Sequence, residues 1–190
     1  DYESLIYRMP PNFGSVQRAR VIRDEDSFKR NLNIYVVSQD SENNLTETNG
    51  SIKNNLKTWL QRNKMINDTI DILDAKIVNF GIEFEAVADL ETPKFDVLSA
   101  AENVLKTYFN RKMDIGESFF ITDIYSQLKK VPGLGDVTSV KITRKLGGKY
   151  SDVALDLANG TSADGRYINV PKNVILELKY PDSDIKGVIL

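Results

Sequence analysis

The chain contains neither cysteine nor histidine. Without cysteine there is no disulfide framework, no thiolate nucleophile and no cysteine-ligated zinc or iron–sulfur centre. Without histidine the commonest general base and the commonest transition-metal ligand are both missing. Most familiar hydrolase and metalloenzyme mechanisms are thereby excluded, and only carboxylate, lysine and tyrosine chemistry survives. An excess of charge is lacking too: 25 basic residues stand against 27 acidic ones, for a formal net charge of -2. No global field of either sign exists to hold nucleic acid or an anionic membrane, although a local basic patch remains open. No stretch approaches the roughly 18 consecutive apolar residues of a membrane-spanning helix. The first residues do not read as a signal peptide, and Asp1 reads as a cut within a longer chain or as its first ordered residue. The three Asn-X-Thr sequons at Asn44, Asn67 and Asn159 are accordingly read as chance.

What is present suits a soluble α+β protein. Of the 190 residues, 41% are hydrophobic and 27% charged. That is enough for one large domain or two small, closely packed ones. Residues 1–15 mix Tyr2, Leu5, Ile6, Tyr7 and Phe13 with Pro10, Pro11 and Gly14, which reads as an irregular arm with apolar hooks. Such an arm either folds onto its own domain or reaches a neighbour. A smaller β-β-α unit is expected over 16–70. It comprises strands at Val16–Arg23 and Leu32–Val37, a polar loop at 39–50, and a helix capped by Ser51 with an apolar stripe at Ile52, Leu56, Trp59 and Leu60.

A larger α+β sandwich is expected over 71–190. Val78, Phe80, Ile82, Phe84, Ala86 and Ala88 occupy one parity of a strand whose other parity is mostly polar, so one face meets a core and the other water. Thr92-Pro93 signals a helix start, and Val97, Leu98, Ala101, Val104, Leu105 and Tyr108 follow at helical spacing. A second stripe, Ile121, Ile124, Tyr125 and Leu128, stops at Pro132-Gly133. Val137, Val140 and Ile142 suggest a strand, Val153, Leu155 and Leu157 a short one, and Val174, Leu176, Leu178 and Tyr180 a closing strand with Glu177 and Lys179 on its outer face. The order β-α-α-β-(β)-β argues for helices packed on a mainly antiparallel sheet.

Sites for chemistry are sparse. Glu83 and Glu85 share a strand face at a spacing open to acid/base work, but their parity is otherwise that of a solvated face. Asp24-Glu25-Asp26 and Asp182-Ser183-Asp184 offer oxygen ligands without the spacing of a calcium loop, and read as turn charges. Gly147-Gly148-Lys149 ends like a phosphate-binding loop. Thr143 occupies the place of the required first glycine and Tyr150 that of the Ser or Thr, so a turn explains it better. Lys129, Lys130, Lys141, Arg144, Lys145 and Lys149 concentrate positive charge that suits phosphates, an acidic protein face, or simply solvent. Arg18, Arg20 and Arg23 carry the same ambiguity. The aromatic groups Phe119 with Phe120, Tyr7 with Phe13, and Tyr150 with Tyr167 read as core. The ending Val188-Ile189-Leu190 must tuck in or meet a partner, and is the clearest physical hint of an interface.

The order of segments also carries a resemblance. The strand "NIYVVSQD" (33–40) and the helix "SIKNNLKTWLQRNKM" (51–65) are followed by "DTIDILDAKIVNFGIEFEAVAD" (68–89) and "FDVLSAAENVLKTYF" (95–109). Then come "IGESFFITDIYSQLKKVPGLGDV" (115–137) and "GRYINVPKNVILEL" (165–178). From Val21 to Leu178 the chain resembles the baseplate J-like proteins of contractile phage tails, and within them the baseplate wedge subunits of large phages. The resemblance implies a structural subunit without catalytic residues or cofactors, a C-terminal portion of a longer protein. Its copies would form dimer contacts that close a ring around the tail tube. It also implies partnership with other wedge proteins in the virion tail, after assembly in the host cytoplasm. The resemblance does not say which side chains meet; the apolar hooks of the arm and the apolar ending make Tyr2, Leu5, Ile6, Tyr7, Phe13, Val188, Ile189 and Leu190 the expected interface residues. The alternative is a nucleic-acid-binding α+β module, which the acidic outer parity of 79–89 disfavours. A further alternative is an enzyme using Asp, Glu, Lys or Tyr alone, whose sign would be a buried carboxylate or lysine in a pocket.

Overall fold

The computed structural model describes residues 2–24 and 30–190, and these form an α+β fold. The chain falls into two units, one of Asp1–Ile77, Asp114–Gly116 and Lys172–Ile175, the other of Val78–Met113, Glu117–Pro171 and Leu176–Leu190.

In the first unit β2 (Arg30–Gln39) lies between β1 (Arg18–Arg23), antiparallel to it, and β4 (Asp68–Asp74), parallel to it. The end of β2 also pairs with β3 (Leu45–Thr46). A parallel pair needs a crossover, and α2 (Gly50–Gln61) supplies it. The cap of α2 is Asn49, whose side chain accepts from the Ser51 N–H at 2.9 Å, so the helix starts ahead of the expected Ser51 cap. The expected stripe does face the core. Leu56 and Leu60 are fully buried with Ile34, Val36 and Ile70, while Ile52 and Trp59 pack at the margin.

The arm expected to be irregular is regular: Tyr2–Tyr7 forms a helix, α1, and Pro11–Phe13 a 3-10 turn. Proline lacks the amide and clashes with the preceding turn, so Pro10 and Pro11 end the helix instead of preventing it. Polar bonds fix α1 to its own unit. Trp59 Nε1 donates to the Leu5 carbonyl at 2.9 Å, and the Tyr2 hydroxyl donates to Asp68 and accepts from the Met65 N–H. Of the two courses open to this arm, it takes the folded-back one.

In the second unit β5 (Lys76–Ala88) is the central strand. It pairs antiparallel with β7 (Leu134–Lys145), parallel with β10 (Ile185–Ile189), and also with β9 (Val174–Glu177). The helix α3 (Lys94–Tyr108) packs against β10 and against α4 (Ile121–Leu128), and α4 also meets β7. The helix begins one residue after Pro93, which has no side-chain cap bond, so the expected Thr92 hydroxyl does not cap it. A short pair, β6 (Phe119–Phe120) with β8 (Tyr167–Ile168), closes the far side of α4. Phe80, Phe109 and Phe119 form one aromatic cluster with ring centroids 5.0 to 5.9 Å apart. Burying a phenylalanine of this kind contributes about 1.5–3 kcal/mol.

Alternation along β5 holds only in its second half. Glu83 and Glu85 are exposed between buried Ile82, Phe84 and Ala86, whereas Val78 through Ile82 are buried on both faces. The strand expected around Val153–Leu157 is absent; Leu157–Gly160 forms a short helix, α5. Another short helix, α6 (Pro181–Asp184), leads into β10, which has no counterpart in the expectations. At Gly187 a Cβ would stand 2.3 Å from the Phe84 ring and 2.7 Å from Leu98, so only glycine lets β10 pass beneath α3.

Candidate interaction surfaces

The polar face of β5 is buried at its start because charged residues from β9 and α6 cover it. Asp184, expected as a loop charge, has a side chain without solvent exposure. It accepts from the Tyr150 hydroxyl at 2.6 Å and the Tyr180 N–H at 3.0 Å, and Lys145 Nζ lies 3.5 Å away. Glu177, expected on an outer face, has a side chain 2% exposed and faces Lys112 Nζ at 3.4 Å. Asn79 donates to Glu177 at 3.0 Å and accepts from the Ser151 N–H at 2.7 Å. Gly81 leaves room for this layer: a Cβ there would meet Lys145 Cε at 2.6 Å and the Asp184 carbonyl at 2.8 Å. A buried charge requires a partner and hydrogen bonds. Both carboxylates have them, which makes the layer a satisfied structural network. Sequence reasoning missed it because Glu177 and Asp184 are acidic residues at positions of polar pattern, where solvent is the default.

Beside this layer, Leu146–Tyr150 and Lys179–Ser183 line a cleft of about 730 Å³. Several of its polar groups are already engaged. Lys179 Nζ donates to the Lys149 carbonyl, Tyr150 bonds Asp184, and the Tyr150 and Tyr180 rings meet edge to face at 5.6 Å. Gly147 and Gly148 both have positive φ, 70° and 61°, and form a turn closed by the Tyr150 N–H on the Gly147 carbonyl. The glycines thus serve a turn and not a phosphate loop.

The hydrogen bond from Tyr150 to Asp184 and burial together raise the tyrosine's pKa above its ordinary value. Tyr2 and Tyr108 are raised as well, first by burial and then by their bonds to Asp68 and Asp123.

The eight apolar residues expected at an interface divide between core and surface. Ile6 is 2% exposed and packs inside the first unit, with Tyr2 and Leu5 partly buried beside it. Tyr7 and Phe13 are about half exposed. Val188 and Leu190 are both 54% exposed, while Ile189 is partly buried. The chain end is therefore a strand laid along β5 that keeps an apolar outer face. Elsewhere Ile66, Leu90 and Phe95 stand out from loops and the start of α3. Phe120 and Tyr167, half exposed, touch each other at 5.9 Å, so the expected Tyr150–Tyr167 grouping is replaced by Tyr150 with Tyr180.

Arg18 pairs with Asp114 at 2.8 Å, and Arg20 donates to the Ile115 carbonyl at 2.7 Å, so both are structural. Glu83 stands across from Lys141 in the β5–β7 register. Glu25 and Asp26 lie outside the described residues. Among the described residues no group of acidic side chains is arranged to hold a metal ion, and no helix is long and apolar enough to cross a membrane.

No protein-family model matches the chain. No curated protein matches it either. Among solved structures it is similar to a chain in the sixfold-symmetrised cryo-EM structure of the anti-feeding prophage baseplate, with a TM-score of 0.54 at 10% identity. The match covers 94% of this chain and 36% of the baseplate chain. At that identity the likeness is one of fold.

Proposed function

We propose that this chain is a structural, non-catalytic part of a contractile-tail baseplate, residing in the virion tail and assembling there with other baseplate proteins. The observation that carries the reading is the fold shared with a baseplate chain over nearly the whole of this one. Apolar side chains left on an otherwise well-packed surface support it, because they mark surfaces that protein partners cover. In its finer form the reading has copies of the chain making dimer contacts that link wedges into a ring around the tail tube. Tyr7, Phe13, Val188 and Leu190 are the exposed members of that contact set. Ring closure requires complementary surfaces in place of a concave pocket, and no cofactor enters the role. Antibody against this chain, applied to contractile particles from its source, is expected to label the baseplate end of the tail. Label along the sheath, on the head or nowhere on the particle would overturn the reading.

A further inference from the structure

The two sheets treat their edges differently. An edge strand presents unpaired N–H and C=O groups that invite another strand. In the first unit the β1 edge is closed by the chain itself: the Ala19 N–H donates to the Tyr7 hydroxyl at 2.9 Å and the Val21 N–H to Glu3 Oε1 at 3.0 Å. In the second unit β7 ends its sheet, with β5 as its one partner strand among the described residues. Near its start β7 is irregular, with register shifts opposite Glu85/Ala86 and Val87/Ala88. Bulges of this kind twist an edge away from further pairing. From Ser139 to Lys145 the register with β5 is unbroken.

That regular half has a consistent chemistry. Val140 and Ile142 share a face with Phe84 and Ile82 across the sheet, yet both are only partly buried. Lys141 and Arg144 are exposed and point to opposite faces, flanking the edge on both sides. Lys149 is exposed just beyond, and none of the three forms an ion pair among the described residues. From Val137 to Ser151 there is no acidic residue. Cations on an edge repel a second edge of the same kind, which disfavours pairing with β7 of another copy. The same cations select an edge of opposite charge.

We propose that Ser139–Lys145 of β7 accepts an added strand from an extended, acidic segment of a partner protein. In that segment apolar side chains alternate with Asp or Glu. The apolar positions extend the half-covered face at Val140 and Ile142, which Arg144 borders, and the carboxylates meet Lys141 on the opposite face, with main-chain bonds supplying affinity. The inference stands whether or not the chain belongs to a baseplate.

The probe is a fluorescein-labelled heptapeptide of alternating Glu and Val, titrated against the whole chain by anisotropy. A Lys/Val heptapeptide and a single-stranded oligonucleotide serve as competitors in kind. The Glu/Val peptide is expected to bind, to weaken as salt rises, and to protect amides of 139–145 from hydrogen exchange. The reversal Lys141→Glu is expected to weaken it at least about tenfold and to confer binding on the Lys/Val peptide. Because Lys141 is exposed, circular dichroism of that variant is expected to match the parent. Three results would overturn the proposal: no peptide binding, binding that ignores the charge reversal, or binding without protection of 139–145. Preference for the oligonucleotide would replace it with the nucleic-acid reading of the same cations.

Discussion

Three tyrosines in this protein share one arrangement, a hydroxyl donated to an aspartate: Tyr2 to Asp68, Tyr108 to Asp123 and Tyr150 to Asp184. The pKa of each is raised in the folded protein, which favours the protonated donor. The stability they add is fully present below the ordinary tyrosine value of about 10 and is lost as pH rises through the raised values. Denaturant unfolding is therefore expected to show stability falling in the alkaline range, and ultraviolet titration to show some of the eight tyrosines ionising after the rest. Asp184 carries more than its tyrosine, since its side chain is wholly buried and also faces Lys145. Asp184→Asn keeps the shape but removes the charge beside Lys145. It is expected to destabilise the protein by about 1–3 kcal/mol in urea unfolding. A variant as stable as the parent would mean that the polar layer is incidental to the fold.

At the scale of elements, β10 decides how the chain end is understood. Its residues pair in parallel with Ile82 through Ala86, and the Leu190 N–H reaches the Ala86 carbonyl at 2.8 Å. Deleting Val188, Ile189 and Leu190 leaves the pairs from Ile185 to Gly187 in place. The expected product is folded, melts a few degrees lower and self-associates more weakly. Circular dichroism melts and sedimentation measure these separately, and an unfolded product would make the end indispensable to the core.

The elements that sequence made legible are those with a clean period. The second half of β5 shows the period of two, and α2, α3 and α4 show the helical stripe. What escaped reading did so for physical reasons. β4 carries Asp68, Asp71 and Asp74 among its apolar residues, and β10 is five residues long with a glycine at its centre. Both therefore depend on a neighbouring strand more than on their own pattern. In the arm, Pro10 and Pro11 drew attention away from six helical residues before them. The acidic network was illegible because only tertiary contact shows which carboxylates are enclosed.

At the scale of the whole molecule, the case for assembly rests on what the surface leaves uncovered. Both units bury apolar side chains, and the buried Glu177 and Asp184 have partners. Yet Tyr7, Phe13, Val188 and Leu190 remain about half exposed, with Ile66 and Leu90 almost fully so. Single exposed apolar residues are ordinary on any protein. Their recurrence marks the surface that partners would cover in the proposed assembly role. Sedimentation velocity over roughly a hundredfold range of concentration tests this most directly, because self-association follows mass action. The account predicts a dimer or larger species that dissociates on dilution and is weakened by charged substitutions at Val188 and Leu190. A strict monomer at every concentration would contradict it.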